Sequence, residues 1–417
     1  MVKMKKFKLG ELLDATRGVS LSGSHYASTG QVKRLTLANF DYSNNGFKPD
    51  TSKDNIFYNG EVAEKFILEK GDIITPLTEQ TPGLLGTTAM IPESGTYIQS
   101  QDVCLLKPFA GKLDAKFAYY LVSSKSVRDQ LAARSQQTKI RHSSPDKIKD
   151  CSVFIPDVPA QERIGKLLFS IDDKIALNRK KIEKLEALAK TIYDYWFVQF
   201  DFPDANGRPY KSSGGKMVYN PILKREIPDG WEMKRLDDVV TDGGCPVNPI
   251  DVNGRPYTPI ECFPIRKMSF YESKNSSEAK SSLVCYKAGD ILLGAMRVYF
   301  HRVCVAPYEG ITRTTSVIMR PKCDSVRAFA YETLNADVFI AYANAQSAAS
   351  QQPFVVWNSI KDYKIVLPGN ELVIDYSSVV QPMIDTVIAL ERENALLAKT
   401  REYLLPLLMN GQVEVGE

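Results

Sequence analysis

The stretch Ile171-Asp172-Asp173-Lys174-Ile175-Ala176-Leu177-Asn178-Arg179 recurs later in the chain as Ile384-Asp385-Thr386-Val387-Ile388-Ala389-Leu390-Glu391-Arg392. The copies lie roughly 213 residues apart, too far for a solenoid repeat and about the size of a domain. Ahead of each copy stands the same exit: Ile148-Lys149-Asp150 leading to Pro156, and Ile360-Lys361-Asp362 leading to Pro368. Further upstream, Ser135-Gln136-Gln137 matches Ser350-Gln351-Gln352, and Gly71-Asp72-Ile73 matches Gly289-Asp290-Ile291. Anchors kept in this order predict two similar but non-identical heads, each followed by a helix.

The helices announce themselves by spacing. Pro159-Ala160-Gln161-Glu162 opens the first, with proline early, where its missing N–H costs nothing. Ile164, Leu168, Ile171, Ile175, Ile182, Leu185, Ala189, Ile192 and Trp196 then fall at steps of four and three, broken at Asn178. A helix of about 40 residues would run about 60 Å at 1.5 Å per residue, which suits a spacer or a coiled-coil arm. The last helix carries Val380, Met383, Val387, Leu390, Leu397, Leu404 and Leu408, with Asn394 and Arg401 interrupting, and should end between Pro406 and Gly411. Two such helices would pair antiparallel, the buried asparagines fixing register.

Between them the chain reads as α+β with a pseudo-twofold internal repeat. Residues 1–157 alternate short β-rich runs (31–37, 72–75, 152–155) with turns and hold a helical stretch over 115–133. The first long helix occupies 158–200, a Pro/Gly/Ser-rich linker 201–229, and a second α+β domain 230–369. In that domain Lys234-Arg235-Leu236 parallels Lys8 and Leu9 near the amino end. The second helix and a tail fill 370–417.

With 417 residues, 44% hydrophobic and 24% charged, the chain has ordinary globular composition and room for two or three cores. Its net charge of +4 permits a basic patch without announcing nucleic acid. The seven cysteines form no CxxC pair and no zinc spacing, so free thiols in a reducing cytoplasm are expected. Met1-Val2-Lys3-Met4-Lys5-Lys6 lacks the apolar run of a signal, and no stretch approaches the ~20 apolar residues of a membrane span.

No catalytic constellation stands out. Asn220-Pro221-Ile222-Leu223 lacks the second proline and the aromatic of an amino-methyltransferase loop. Pro228-Asp229 and Glu232-Met233-Lys234 stand too close together for a nuclease metal site. His25, His142 and His301 have no partner at metal spacing, and no phosphate-cradling glycine loop is present. The loops after the two Gly-Asp turns are more informative. One offers Thr78, Gln80 and Thr81, suited to adenine edges or thymine methyls; the other offers Arg297, Tyr299 and Arg302, the arginines suited to guanine or phosphate. Divergence at matching places fits two heads with separate specificities, though ordinary variable surface loops account for any single residue equally. Lys139 and Arg141 in the basic segment after the Gln-Gln pair, with Arg17, Arg34, Arg266 and Arg313, complete the candidates; phosphate contact and plain solubility both explain them.

The chain resembles the DNA-specificity subunit of type I restriction–modification systems over its whole length. The resemblance rests on the order domain–helix–domain–helix and on particular segments. They are Phe154-Ile155-Pro156 leading to Gln161-Glu162-Arg163-Ile164, the helix end Tyr195-Trp196-Phe197, Asp201-Phe202-Pro203-Asp204-Ala205-Asn206-Gly207, Ile227-Pro228-Asp229-Gly230-Trp231, and Leu404-Leu405-Pro406-Leu407-Leu408-Met409-Asn410-Gly411. It implies two target-recognition domains, each reading one half of a bipartite double-stranded DNA site, separated by two long antiparallel coiled-coil helices that set the unread spacer. It also implies two modification subunits that bind S-adenosylmethionine and methylate adenine, and restriction subunits that use ATP and magnesium. This chain would then carry no cofactor, metal or catalytic residue of its own. A coiled-coil scaffold that never touches DNA is the competing expectation.

Overall fold

The computed structural model describes residues 3–42, 45–50, 55–79, 83–134, 141–252, 254–280, 282–347 and 353–416. The chain forms two compact units, Met1–Lys174 with Ala398–Glu417, and Ile175–Leu397.

In the first unit, Leu13–Arg17, Val103–Pro108, Ile73–Pro76 and Ala89–Met90 lie side by side in one antiparallel sheet. Alternate residues of these strands face the core, so Leu13, Ala15, Ile73, Cys104 and Leu106 are buried against Phe117, Tyr120 and Leu121 of the helix Ala115–Ser123. The second unit builds the same sheet in the same spatial order from Val240–Asp242, Ser316–Pro321, Ile291–Gly294 and Val303–Val305. Its helix Arg327–Asn335 supplies Phe329, Tyr331 and Leu334 to the core.

The retained residues of the repeat are brackets for this frame. Gly71 and Gly289 adopt left-handed backbone (φ 90 and 83), which glycine enters without steric cost. The aspartates that follow accept the backbone N–H three residues back, from Glu69 at 3.0 Å and from Lys287 at 2.7 Å. Each also takes a cation from the neighbouring strand: Lys107 on Asp72 at 2.7 Å, and Arg320 on Asp290 at 2.7 Å. The entry strands repeat as well. Lys5–Lys8 pairs with Ser152–Ile155, and Glu232–Arg235 with Lys364–Leu367, each tied by an ion pair (Lys8–Asp150 2.8 Å, Arg235–Asp362 3.2 Å). The Lys8 ammonium, helped by Arg134, holds the Asp150 carboxyl below its ordinary range.

The expected single helix over 115–133 is two, Ala115–Ser123 and Lys125–Arg134, parted by Ser124 in extended backbone. Ala336 parts Arg327–Asn335 from Asp337–Ala345 in the same way, so the corner belongs to the repeated frame. The expected 31–37 run pairs only over Lys33–Arg34, and the linker contains a hairpin, Met217–Asn220 with Arg225–Pro228.

The long helices are Val158–Tyr193, closed by a wider π turn over Asp194–Val198, and Asn370–Met409. Most of the predicted seam is buried: Ile164, Leu168, Ile171 and Ile175 are each under a tenth exposed, as are Ile182 and Ala189, while Leu185, Ile192 and Trp196 are half-buried. Within the second unit the helices run antiparallel, Asn178 meeting Asn394 at 3.0 Å while Phe197 meets Tyr376 at a ring distance of 4.8 Å. In the first unit Arg401 donates to Asp172 at 2.5 Å, and Asp172 also accepts the Tyr120 hydroxyl. Both seam interruptions of the second helix therefore have polar partners on the first. No run was expected to approach a membrane span, yet Asn370–Met409 is long and apolar enough by composition. Val373, Tyr376, Val380, Ile384 and Val387, however, pack into their own unit's core.

Of the seven free cysteines, burial pushes the Cys104 thiol up to about 12 and the Cys304 thiol higher, so both are inert core groups at neutral pH.

Candidate nucleic-acid interface

In each unit the strand that follows the Gly-Asp turn leaves the sheet and is gripped by two other segments through equivalent backbone hydrogen bonds. Leu77 N–H donates to Asp102 O (2.8 Å), and Leu77 O accepts Ser143 N–H (2.7 Å). In the second unit Ala295 N–H donates to Thr315 O (2.9 Å), and Ala295 O accepts Val355 N–H (3.1 Å). The clamp places the polar loop beside the segment that follows the Gln-Gln motif, joining two stretches that the sequence singled out separately. Thr78–Glu79 pairs with Arg141–His142, and Met296 bridges to Phe354 while Arg297 N–H donates to Pro353 O at 2.9 Å.

The clamps hold different side chains. In the first unit Thr78 is buried, and Glu79, 1% exposed, turns its carboxylate onto the backbone N–H groups of Leu84 and Leu85 at 2.7 and 3.0 Å. That carboxylate shapes the loop, and Arg141 lies 3.7 Å from its other oxygen. Gln80, Thr81 and Lys139 lie outside the described residues. In the second unit Arg297 and His301 both take left-handed backbone (φ 51 and 55) around the single turn Val298–Phe300. The turn presents Arg297 and Tyr299 to solvent beside exposed Phe300 and Phe354. Among the described residues Arg297 has no ion-pair partner. An unpaired guanidinium among exposed aromatic rings can take a phosphate, a guanine edge or a base face.

Arg302, expected at a guanine or phosphate, is instead engaged by its own chain. Its guanidinium donates to Ile260 O at 3.0 Å and Glu261 O at 3.4 Å, and also to Phe263 O. Arg266 is ion-paired to Asp337 at 2.8 Å, which holds that carboxyl below its ordinary range. Arg34 stacks over Tyr26 (4.3 Å to the ring centroid) and donates to Asn55 O at 2.6 Å. Arg17 and Arg313 are exposed at the ends of Leu13–Arg17 and Gly310–Arg313. Gly18, beside Arg17, leaves no room for a side chain: a Cβ would sit 2.3 Å from the carbonyl oxygens of Gln99 and Ser100.

Sequence reading missed the two groups that hold the second loop, His301 and Asn335. The buried His301 ring bonds through Nε2 to both the carbonyl and the side chain of Asn335 at 2.9 Å, and its Nδ1 lies 3.4 Å from Asp337. The exposed rings of Phe300 and Phe354 went unremarked too; only their closeness in sequence to Arg297 and to the Gln-Gln motif would have marked them. Among the described residues no group of three or more His, Cys, Asp or Glu side chains could hold a metal ion.

Residues 1–187 match the family model of the type I restriction modification DNA specificity domain. This part of the chain is such a domain. Among curated relatives, the chain is 24% identical over 320 residues to the MjaIX type I restriction enzyme specificity subunit of Methanocaldococcus jannaschii, covering 73% of this chain and 70% of that one. It is 27% identical over 139 residues to the HindI specificity subunit of Haemophilus influenzae, covering 33% and 30%. Among solved structures, the type I restriction-modification S subunit from M. genitalium superposes with a TM-score of 0.64 at 15% identity, over 98% of this chain and 96% of that one. At that identity the likeness speaks for the fold, and it extends to the residues beyond 187. Family and relatives together indicate a type I restriction–modification DNA specificity subunit, and a scaffold without a DNA role finds no support among them.

Proposed function

We propose that each unit reads one half of a bipartite double-stranded DNA site through its clamped loop, and that the paired long helices fix the number of unread base pairs between the halves. The carrying observation is the repeated clamp. Its backbone bonds at Leu77 and Ala295 are conserved between the units, while the chemistry it presents differs: a buried threonine and a paired arginine in one, an exposed arginine with exposed aromatics in the other. A common frame with divergent tips is what two separate half-site specificities require. Two modification subunits carrying S-adenosylmethionine, and restriction subunits using ATP and magnesium, would supply the chemistry in the cytoplasm, with this chain contributing recognition and assembly.

The helices as a ruler can be tested by deleting one heptad from each. The deletion shortens the pair by about 10 Å at ~1.5 Å per residue, which is about three base pairs at ~3.4 Å each. Duplexes selected by the variant complex should carry a spacer shorter by that amount, or binding should fail if the units turn out of phase. Selection of the original spacing by a folded variant refutes the ruler.

A further inference from the structure

The internal repeat also shows how one exposed apolar site is meant to be filled. In the second unit, the end of the first long helix and the start of the entry strand make an aromatic floor from Phe197 and Trp231, 5.9 Å apart. The segment that follows the helix folds back over it. Phe200 packs edge-on to Trp231 at 5.4 Å and Phe202 stacks on it at 5.2 Å, leaving both phenylalanines under a tenth exposed. Asp201 between them is held by Ser212, whose N–H and hydroxyl donate to its carboxylate at 2.7 and 2.6 Å. An aromatic–acidic–aromatic strap, with Phe200 in left-handed backbone (φ 66), thus closes this end of the second unit.

The first unit builds the corresponding place from corresponding elements, and its described residues leave it open. Met4 stands just before its entry strand, as Trp231 does before the other. Leu405, Pro406 and Met409 stand at the end of the second long helix, as Ile192, Tyr193 and Trp196 do on the first. With Val153 and Phe154 they line a groove of about 650 Å³. Phe154 is 56% exposed although its strand neighbours Val153 and Ile155 are each 2% exposed, so among the described residues a large ring lines the groove more than half uncovered. Among the described residues after the helix, Asn410 lines the groove and none is aromatic; they run to the start of the first long helix, where Arg163 holds Val415 O at 3.1 Å.

We propose that this groove docks a protein partner through a short segment in which two aromatic side chains flank an acidic one, as the 200–202 strap does in the second unit. Charge favours that occupant. Lys5 and Lys6 are exposed on the adjoining strand with no ion-pair partner among the described residues, Lys6 directly across the ladder from Phe154. The rim's Asp129 is already paired to Lys125 at 2.6 Å. The inference stands apart from the DNA reading, and it makes the two units unequal: one closed by its own chain, one open to another.

The probe is a fluorescein-labelled peptide of residues 199–216 of this chain, titrated against the full chain and read by anisotropy. One saturable site is expected, weakened at least tenfold by Phe154→Glu and abolished when the peptide's Phe200 and Phe202 are both serine. Phe154 is a surface residue, so its substitution leaves the fold intact, and the peptide variant needs no change in the protein at all. The chain's three tryptophans, Trp196, Trp231 and Trp357, all lie in the second unit, so their emission should stay constant. Absence of saturable binding overturns the proposal. So does binding indifferent to Phe154→Glu, or a tryptophan change reporting displacement of the resident strap. Sedimentation showing a dimer of the chain that Phe154→Glu dissolves would assign the groove to a second copy and overturn it as well.

Discussion

Asn178→Ala should destabilise the second unit more than Asn394→Ala, although the two amides bond to each other. Asn178 Nδ2 serves two acceptors, Asn394 Oδ1 at 3.0 Å and Glu393 Oε2 at 2.8 Å. Both asparagines are under a tenth exposed, so water does not readily replace what is lost. Removing the donor forfeits one neutral and one charge-assisted hydrogen bond, roughly 3 kcal/mol in all. Asn394→Ala leaves Asn178 with Glu393 and deletes an Nδ2 that has no partner among the described residues, so it should cost about 1 kcal/mol or less. Replacing both by leucine completes the apolar seam and should recover most of the stability lost in Asn178→Ala, with looser register as the consequence. The assay is urea unfolding followed by tryptophan emission, which reports the second unit alone. The reasoning fails if Asn394→Ala costs as much as Asn178→Ala, or if the double leucine variant is the least stable of the three.

Two further substitutions separate structure from recognition. Glu332 is 3% exposed, and burial, reinforced by Asp194 and Glu186 and opposed by Lys190, pushes its carboxyl up to about 8. The folded state then holds the proton more tightly than the unfolded one, so its contribution is complete below about pH 4.5 and is lost as pH rises towards 8. Glu332→Gln should match the parent at pH 4 and exceed it at pH 9 by on the order of 5 kcal/mol; equal stability at pH 9 would show the carboxyl ionised at little cost. Arg302→Ala should lower the stability of the second unit by roughly 2–3 kcal/mol through lost carbonyl partners, with the DNA motif unchanged. A changed half-site with stability intact would return Arg302 to the recognition surface.

What the sequence revealed and what it hid divide by range. The Gly-Asp turns were legible because their chemistry is local: a left-handed glycine and an aspartate capping three residues back. Their cations, Lys107 and Arg320, come from a neighbouring strand and left no mark. Asn178 and Asn394 stood out as breaks in an apolar seam, and buried amides must find partners, so their pairing followed. The corner at Ser124 was missed because no proline or glycine marks it, although Ser123-Ser124 and, in the other unit, Asp337 are helix-start residues. Arg297 and Arg302 looked alike in one basic loop. Only the left-handed turns at 297 and 301 and the distant carbonyls at 260–263 leave one exposed and the other bound to its own chain.

The most direct measurement is selection from a random duplex library by the chain assembled with the proposed modification subunits. Parent protein and an Arg297→Ala/Tyr299→Ala variant would be run side by side at fixed salt. The account predicts that the parent recovers two short motifs at one fixed separation, and that the variant relaxes one of them while the other motif and the spacing persist. A single contiguous motif, or relaxation of both halves together, would contradict it.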